Sequence, residues 1–207
     1  MKHEWRKREK EYYMPKEKPV LVDIPEFKFF MIKGKGNPNR EEFSQAVGVL
    51  YSLAYAIRMM PKNGYTPERY FEYTVYPLEG IWDLTEEGKN QETLNKDEFI
   101  YTIMIRQPNF VTEELVAKAM EIVKKKKPHP LLDKIIFETI KDGLSVQMLH
   151  IGSFDDESKT FSIMKEYCEK NNLIIKTKAH REIYLSDLRK TETEKLKTVL
   201  RYCVKEI

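Results

Sequence analysis

Leu149-His150-Ile151-Gly152, running into Asp155-Asp156 and then Phe161, repeats a pattern met earlier at Met31-Ile32-Lys33-Gly34, which runs into a polar cluster and then Phe43. In both places a β-rich run stops at a glycine and a helical period begins after a polar break. Outward from Met31, the first half reads as strand Phe29–Gly36, helix Asn39–Met60, strand Tyr70–Tyr76 and strand Phe99–Arg106. Outward from Leu149, the same order returns as strand Ser145–Gly152, helix Asp156–Asn171, strand His180–Ser186 and strand Leu196–Val204. The expected fold is α+β, with duplicated βαββ units forming a pseudo-two-fold pair and a ligand cleft at the seam.

The remaining segments divide the chain around these units. Residues 1–18 are rich in Lys and Glu and read as a loosely packed charged arm. Residues 19–110 hold the first βαββ unit, 111–130 a connecting helix, and 131–207 the second unit, the two units making one domain. Lys18–Ile24 reads as an edge strand ending at Pro25. Asn39 with Glu42 predicts a capping box, and Phe43, Ala46, Val47, Leu50, Leu53, Ala54 and Ile57 give the helix one apolar face until Pro61 and Asn63-Gly64 close it. Thr112 predicts the cap of the connecting helix, whose first turn carries Glu113 and Glu114 and whose end carries Lys124–Lys127. That lysine run fits a solvated helix terminus better than a phosphate site. Lys134–Lys141 fits helix or strand, and Asp142-Gly143 ahead of a β-rich run favours a strand closed by a hairpin turn.

Composition narrows the function classes. The chain has 207 residues, 41% of them hydrophobic and 12% aromatic, enough for a core without disulfides or metal. A net charge of +3 from 36 basic and 33 acidic side chains offers no global field for a nucleic-acid backbone, so no direct nucleic-acid binding is expected. The basic N-terminus is followed by no apolar run, and no stretch has the length of a membrane span, which points to a cytoplasmic protein with no membrane partner. Cys168 and Cys203 form no CxxC pair and read as buried, reduced thiols.

The loud catalytic signatures are missing: there is no Walker loop, no GxSxG and no HExxH, and Gly34-Lys35-Gly36 lacks the rest of a dinucleotide fingerprint. No cofactor and no metal are expected. His150 and His180 could join Glu182 around a metal, but no spacing enforces it, and structural roles are the simpler reading. In His180-Arg181-Glu182-Ile183-Tyr184-Leu185 the period of two puts Ile183 and Leu185 on one face and His180, Glu182 and Tyr184 on the other. If the apolar face packs on the helix of its own unit, Glu182 and Tyr184 point away from it into the seam. A carboxylate among aromatics favours cations and, with its pKa raised by desolvation, can act as a general base; the competing reading is a solvent-facing strand residue. The corresponding stretch of the first half offers Tyr76, then Glu79 and Trp82, which together fit an aromatic cage as well as ordinary core filling.

Three stretches carry a family resemblance: Tyr76-Pro77-Leu78-Glu79-Gly80-Ile81-Trp82, Asp142-Gly143 with Gln147-Met148-Leu149-His150-Ile151-Gly152, and His180-Arg181-Glu182-Ile183-Tyr184-Leu185-Ser186-Asp187. Across roughly residues 18–207 the chain resembles the GyrI-like small-molecule-binding superfamily, the ligand domain also found in multidrug-sensing transcription regulators. The resemblance implies that Glu182 lies at the base of a ligand cavity with Trp82, Tyr76, Glu79 and Tyr184 as ligand-binding residues. The layout without a DNA-binding domain is similar to a subfamily that hydrolyses cyclopropane-bearing DNA-alkylating compounds, which implies that Glu182 positions or activates water. Ser153-Phe154 departs from the Pro-Tyr of many relatives, and Tyr202-Cys203 from a common Gln-Pro. The expected partner is a hydrophobic aromatic or cationic xenobiotic. The rival reading is a non-catalytic ligand sensor or drug-sequestering module acting with a separate transcription regulator.

Overall fold

The computed structural model describes residues 2–187 and 190–207. In chain order the principal elements begin with α1 (Trp5–Arg8), α2 (Lys10–Tyr13), β1 (Val20–Lys35) and α3 (Glu41–Met59). They continue with β2 (Leu78–Leu84), α4 (Glu86–Lys89), β3 (Phe99–Gln107), α5 (Glu113–Lys126) and β4 (Ile136–Ile151). The chain ends with α6 (Glu157–Lys170), β5 (Leu173–Ile175), β6 (His180–Tyr184) and β7 (Lys197–Glu206). The architecture is α+β, as expected. One compact unit comprises Met1–Glu4, Phe27–Leu78 and Leu84–Ile140, the other Trp5–Glu26, Glu79–Asp83 and Lys141–Ile207.

In the first unit the Phe29–Lys35 stretch of β1 pairs antiparallel with β3, from Phe29 opposite Arg106 to Lys35 opposite Ile100. Helix α3 buries Ala46, Leu50, Leu53, Ala54 and Ile57 of the face that its 3.6-residue period predicts, and Val49 beside them, while Phe43 and Val47 are half-buried. Gly64, at a φ of 86°, turns the chain after it. Helix α5 starts at Thr112, whose hydroxyl accepts from the Leu115 amide at 3.4 Å.

Several local expectations are corrected. The capping box at Asn39 does not form: α3 begins at Glu41, and the Asn37 side chain instead accepts from the Asn39 amide at 3.0 Å, closing a turn ahead of the helix. Tyr70–Tyr76 is not a strand, because only Tyr73 makes an isolated bridge, to His3, and the β hydrogen bonding starts after Pro77, in β2. Lys18–Ile24 is not a separate edge strand, since β1 continues through Pro25 and the proline removes a single donor. Likewise Asp142-Gly143 makes no hairpin: β4 is continuous, with Gly143 at a φ of 65° inside it. Residues 1–18 do not hang loose either, as Trp5 and Tyr13 are only 3% and 2% exposed and their rings meet at 5.2 Å.

The second unit is organised around antiparallel pairings of β6 with β2, β7 with β6, and both β4 and β5 with β7. Under α6, Met164 and Cys168 pack with Val146 and Met148 of β4 and Leu200, Tyr202 and Val204 of β7. The alternate residues of the same strands carry a buried polar layer on the opposite face. There Arg181 Nη2 is 2.7 Å and Arg201 Nη1 3.4 Å from Asp142 carboxylate oxygens, while Arg181 Nη1 reaches Glu79 at 3.1 Å. This layer also captures the N-terminal segment, since Arg201 donates to the Tyr12 carbonyl at 2.7 Å and Gln147 to the Glu11 carbonyl at 2.6 Å. Burial alone would raise the Asp142 carboxyl, but the two guanidiniums hold it below the usual carboxylate range. Cys168 and Cys203 are free thiols.

Candidate functional site

Strand β6 brings His180, Glu182 and Tyr184 to one face, as its alternation requires. The ladder adds their neighbours: Gly80 of β2 stands opposite Glu182, and Trp82 opposite His180. Directly opposed residues share a face, so Trp82 joins the set. The first turn of α6 adds Glu157, and Phe161 follows it one turn along the helix. The expectation that the Ile183 face packs on the helix is therefore corrected. The Glu182 face meets α6, because Arg181, on the other face with Ile183, is claimed by Asp142 and Glu79.

A directed chain of hydrogen bonds runs through the site. Trp82 Nε1 donates to the Tyr184 hydroxyl at 2.8 Å, and that hydroxyl donates to Glu182 Oε2 at 2.8 Å. His180 Nε2 lies 3.0 Å from Glu182 Oε1, so both oxygens of this carboxylate face a partner. Aromatic rings surround it: Phe161 is 4.6 Å from the His180 ring in an edge-on contact, Phe154 6.0 Å from Tyr184, and Tyr202 5.2 Å from Phe161. Phe154 thus packs on Tyr184, and Tyr202 lies beside Phe161 and 6.2 Å from the His180 ring. Burial, followed by the Glu182 charge and hydrogen bond, raises the Tyr184 phenol well above its ordinary value and keeps it neutral.

Glu157 was not singled out from the sequence, because an acid in the first turn of a helix already has a dipole explanation. It is 7% exposed, and its Oε1 is buried without a hydrogen-bond partner among the described residues. Burial, then the charges of Glu182 and Asp155, push its carboxyl up to about 9. The available signal was its position: Glu157, Phe161, Met164 and Cys168 recur along one helical stripe, so an acid opens an otherwise apolar face.

A family model for the GyrI-like small molecule binding domain matches residues 17–204. The chain belongs to that family. The GyrI-like chain is similar to a hydrolase from Listeria innocua, at 37% identity over 98% of this chain and 100% of that one, with a TM-score of 0.88. A second Listeria innocua hydrolase structure matches at 38% identity over 99% and 100% of the two chains, with a TM-score of 0.91. An uncharacterized conserved protein of the same organism matches at 39% identity over 98% and 100%, also at 0.91. A comparison with curated proteins finds no match.

The residues expected to line the site of this GyrI-like chain divide into two groups. Glu182, Trp82 and Tyr184 are joined by the hydrogen bonds above. Glu79 lies on the opposite face of β2, 2% exposed and paired with Arg181, and Tyr76 belongs to the first unit, where its ring lies 4.4 Å from the Arg106 guanidinium carbon. The histidines also separate. His150 Nε2 is 2.9 Å from the Ser153 carbonyl, which requires a proton on that nitrogen, and its Nδ1 then accepts from Thr160 at 2.9 Å. His150 thus pins α6 to β4. A set of Glu157, His180 and Glu182 offers one nitrogen and two carboxylate oxygens within 4.8 Å of one another. Among the described residues, no helix is long and apolar enough to cross a membrane.

Proposed function

We propose that this GyrI-like domain takes up hydrophobic aromatic or cationic small molecules against Glu182, Trp82 and Tyr184, and hydrolyses cyclopropane-bearing alkylators in the cytoplasm. The observation that carries the reading is the Trp82–Tyr184–Glu182 hydrogen-bond chain within an aromatic surround. Likeness over nearly the full chain to the Listeria innocua hydrolases supports a reaction in addition to binding. Trp82 and Tyr184 supply stacking area, while the Glu182 charge favours cations. In turnover, Tyr184 and His180 orient Glu182, which takes a proton from water as the water adds to the strained ring. Residues 19–110 and 131–207 enter this proposal as a duplicated βαββ pair, supported by the matched order of β1 with α3 and β4 with α6.

The test combines binding with turnover. A thermal-shift screen with flat aromatic and cationic drugs should show stabilisation, and mass spectrometry should show water added to a cyclopropane-bearing alkylator. Stabilisation without turnover leaves a sequestering or sensing module. The absence of both removes the proposal.

A further inference from the structure

Helices α3 and α5 of the first unit, with the segment that follows α5, line a cavity of about 320 Å³. Val49 and Val123, both buried, are its apolar lining. Gly48 also lines it, in the interior of a 19-residue helix, where a glycine weakens the helix relative to alanine. Close packing does not account for this glycine, because a Cβ at position 48 would meet no atom within 4 Å. The missing side chain leaves space. The polar lining divides by charge. Glu41 and Lys127 both line the cavity, yet neither forms an ion pair with the other or with any described residue. Lys124, by contrast, is taken by Asp133 at 2.7 Å. From α3 come acceptors: the Glu41 carboxylate, and the hydroxyl oxygens of Ser44 and Ser52, whose protons go to the Glu41 and Gly48 carbonyls. From the end of α5 and beyond come donors. They are the Lys127 ammonium and Nε2 of His129, since Nδ1 of that ring accepts from the Leu131 amide at 3.2 Å and leaves the proton on Nε2.

We propose that this cavity is a second small-molecule site, and that it takes a zwitterion with an apolar body, an α-amino acid of the leucine or methionine class. The ligand carboxylate meets Lys127 and His129, its ammonium meets Glu41 and the serine oxygens, and its side chain lies against Val49 and Val123. Volume sets the size: about 320 Å³ is the lower end of the range for ligand pockets and suits a single amino acid. Charge sets the class. The lining carries one acid and one ammonium, so a simple anion gains Lys127 but is repelled by Glu41, and a simple cation meets the converse. A zwitterion satisfies both. Binding alone is proposed, with no bond made or broken. The site lies in the first unit, whereas Glu182, Trp82 and Tyr184 belong to the second, so it stands or falls without the hydrolytic reading.

Titration of the isotope-labelled full chain with L-leucine and L-methionine, followed through backbone amide NMR shifts, tests the site. Saturable shifts should centre on Gly48, Lys127 and His129. Leucine amide, which lacks the carboxylate, and isocaproate, which lacks the ammonium, each lose a charge-assisted contact and should bind at least about tenfold more weakly. Gly48→Leu should abolish the shifts by filling the space. It should not lower the melting temperature, because leucine favours a helix more than glycine does. If that substitution perturbs folding, Lys127→Ala and Glu41→Gln, both at exposed positions, carry the test, each with an affinity loss of about tenfold. The proposal is overturned by the absence of saturable shifts with either amino acid, by isocaproate binding as tightly as leucine, or by inorganic phosphate competing for the same amides. Wild-type affinity in a folded Gly48→Leu, or in both Lys127→Ala and Glu41→Gln, overturns it equally.

Discussion

The indole Nε1 of Trp82 lies 2.5 Å from the point where a side chain at position 80 would place its Cβ, so Gly80 is the residue over which the ring lies. The glycine stands opposite Glu182 in the β2–β6 ladder, and the missing side chain makes room for the indole that bonds Tyr184. Gly80→Ala should therefore displace Trp82, at a cost of about 1–3 kcal/mol in stability. Tryptophan fluorescence should shift and the affinity for flat aromatic ligands should fall; an unchanged spectrum would show that the ring is not constrained there.

Charge and stacking separate in two variants. Glu182→Gln should weaken cationic ligands, spare neutral ones and abolish hydrolysis, whereas Trp82→Ala should weaken both ligand classes by about 1–2 kcal/mol. Calorimetric titration with a matched cationic and neutral pair checks this. Equal effects of Glu182→Gln on both classes would contradict an electrostatic role.

Stability should depend on pH in opposite senses at two carboxyls. Glu157 has a raised folded value, so its contribution is full below the ordinary carboxylate range and is lost as pH rises towards about 9. The slope it adds is at most about 1.4 kcal/mol per pH unit, and Glu157→Gln should flatten it. Asp142 has a depressed folded value, so its contribution is present above the ordinary range and is lost as pH falls through the folded value. Urea unfolding from pH 3 to 9 measures both limbs.

The ion cluster behind β6 should be intolerant of single truncation. Asp142→Ala leaves the buried guanidiniums of Arg181 and Arg201 without their shared carboxylate, at a cost of about 3–5 kcal/mol. Chemical denaturation should show the loss, and a change below 1 kcal/mol would mean that water replaces the carboxylate.

The N-terminal segment should behave as part of the second unit's core. Trp5→Ala should destabilise by about 3–5 kcal/mol, since the ring is buried against Tyr13 and carries the Arg6 guanidinium 4.5 Å above it. A melting temperature equal to that of the wild type would return residues 1–18 to the status of a loose arm.

Local periodicity carries its information within a few residues, and those features were legible in the sequence. The apolar face from Ala46 to Ile57 follows from helical spacing, the Thr112 cap from a hydroxyl ahead of two acids, and the common face of His180, Glu182 and Tyr184 from a period of two. Capping at Asn39 and a turn at Asp142-Gly143 were wrong for the same reason that the others were right. Each is a local preference, and a continuous ladder or a competing Asx turn overrides it.

By itself the sequence determined which residues of β6 share a face, and hence that Glu182 travels with His180 and Tyr184. Only the tertiary structure decided which face meets α6, because that choice turns on Arg181 finding Asp142, a partner 39 residues away. Tertiary packing likewise sets Glu157 beside Glu182 and Trp5 in a core rather than in solvent. Alternation is a property of one strand, whereas the side on which a helix lands depends on where every other buried charge is satisfied.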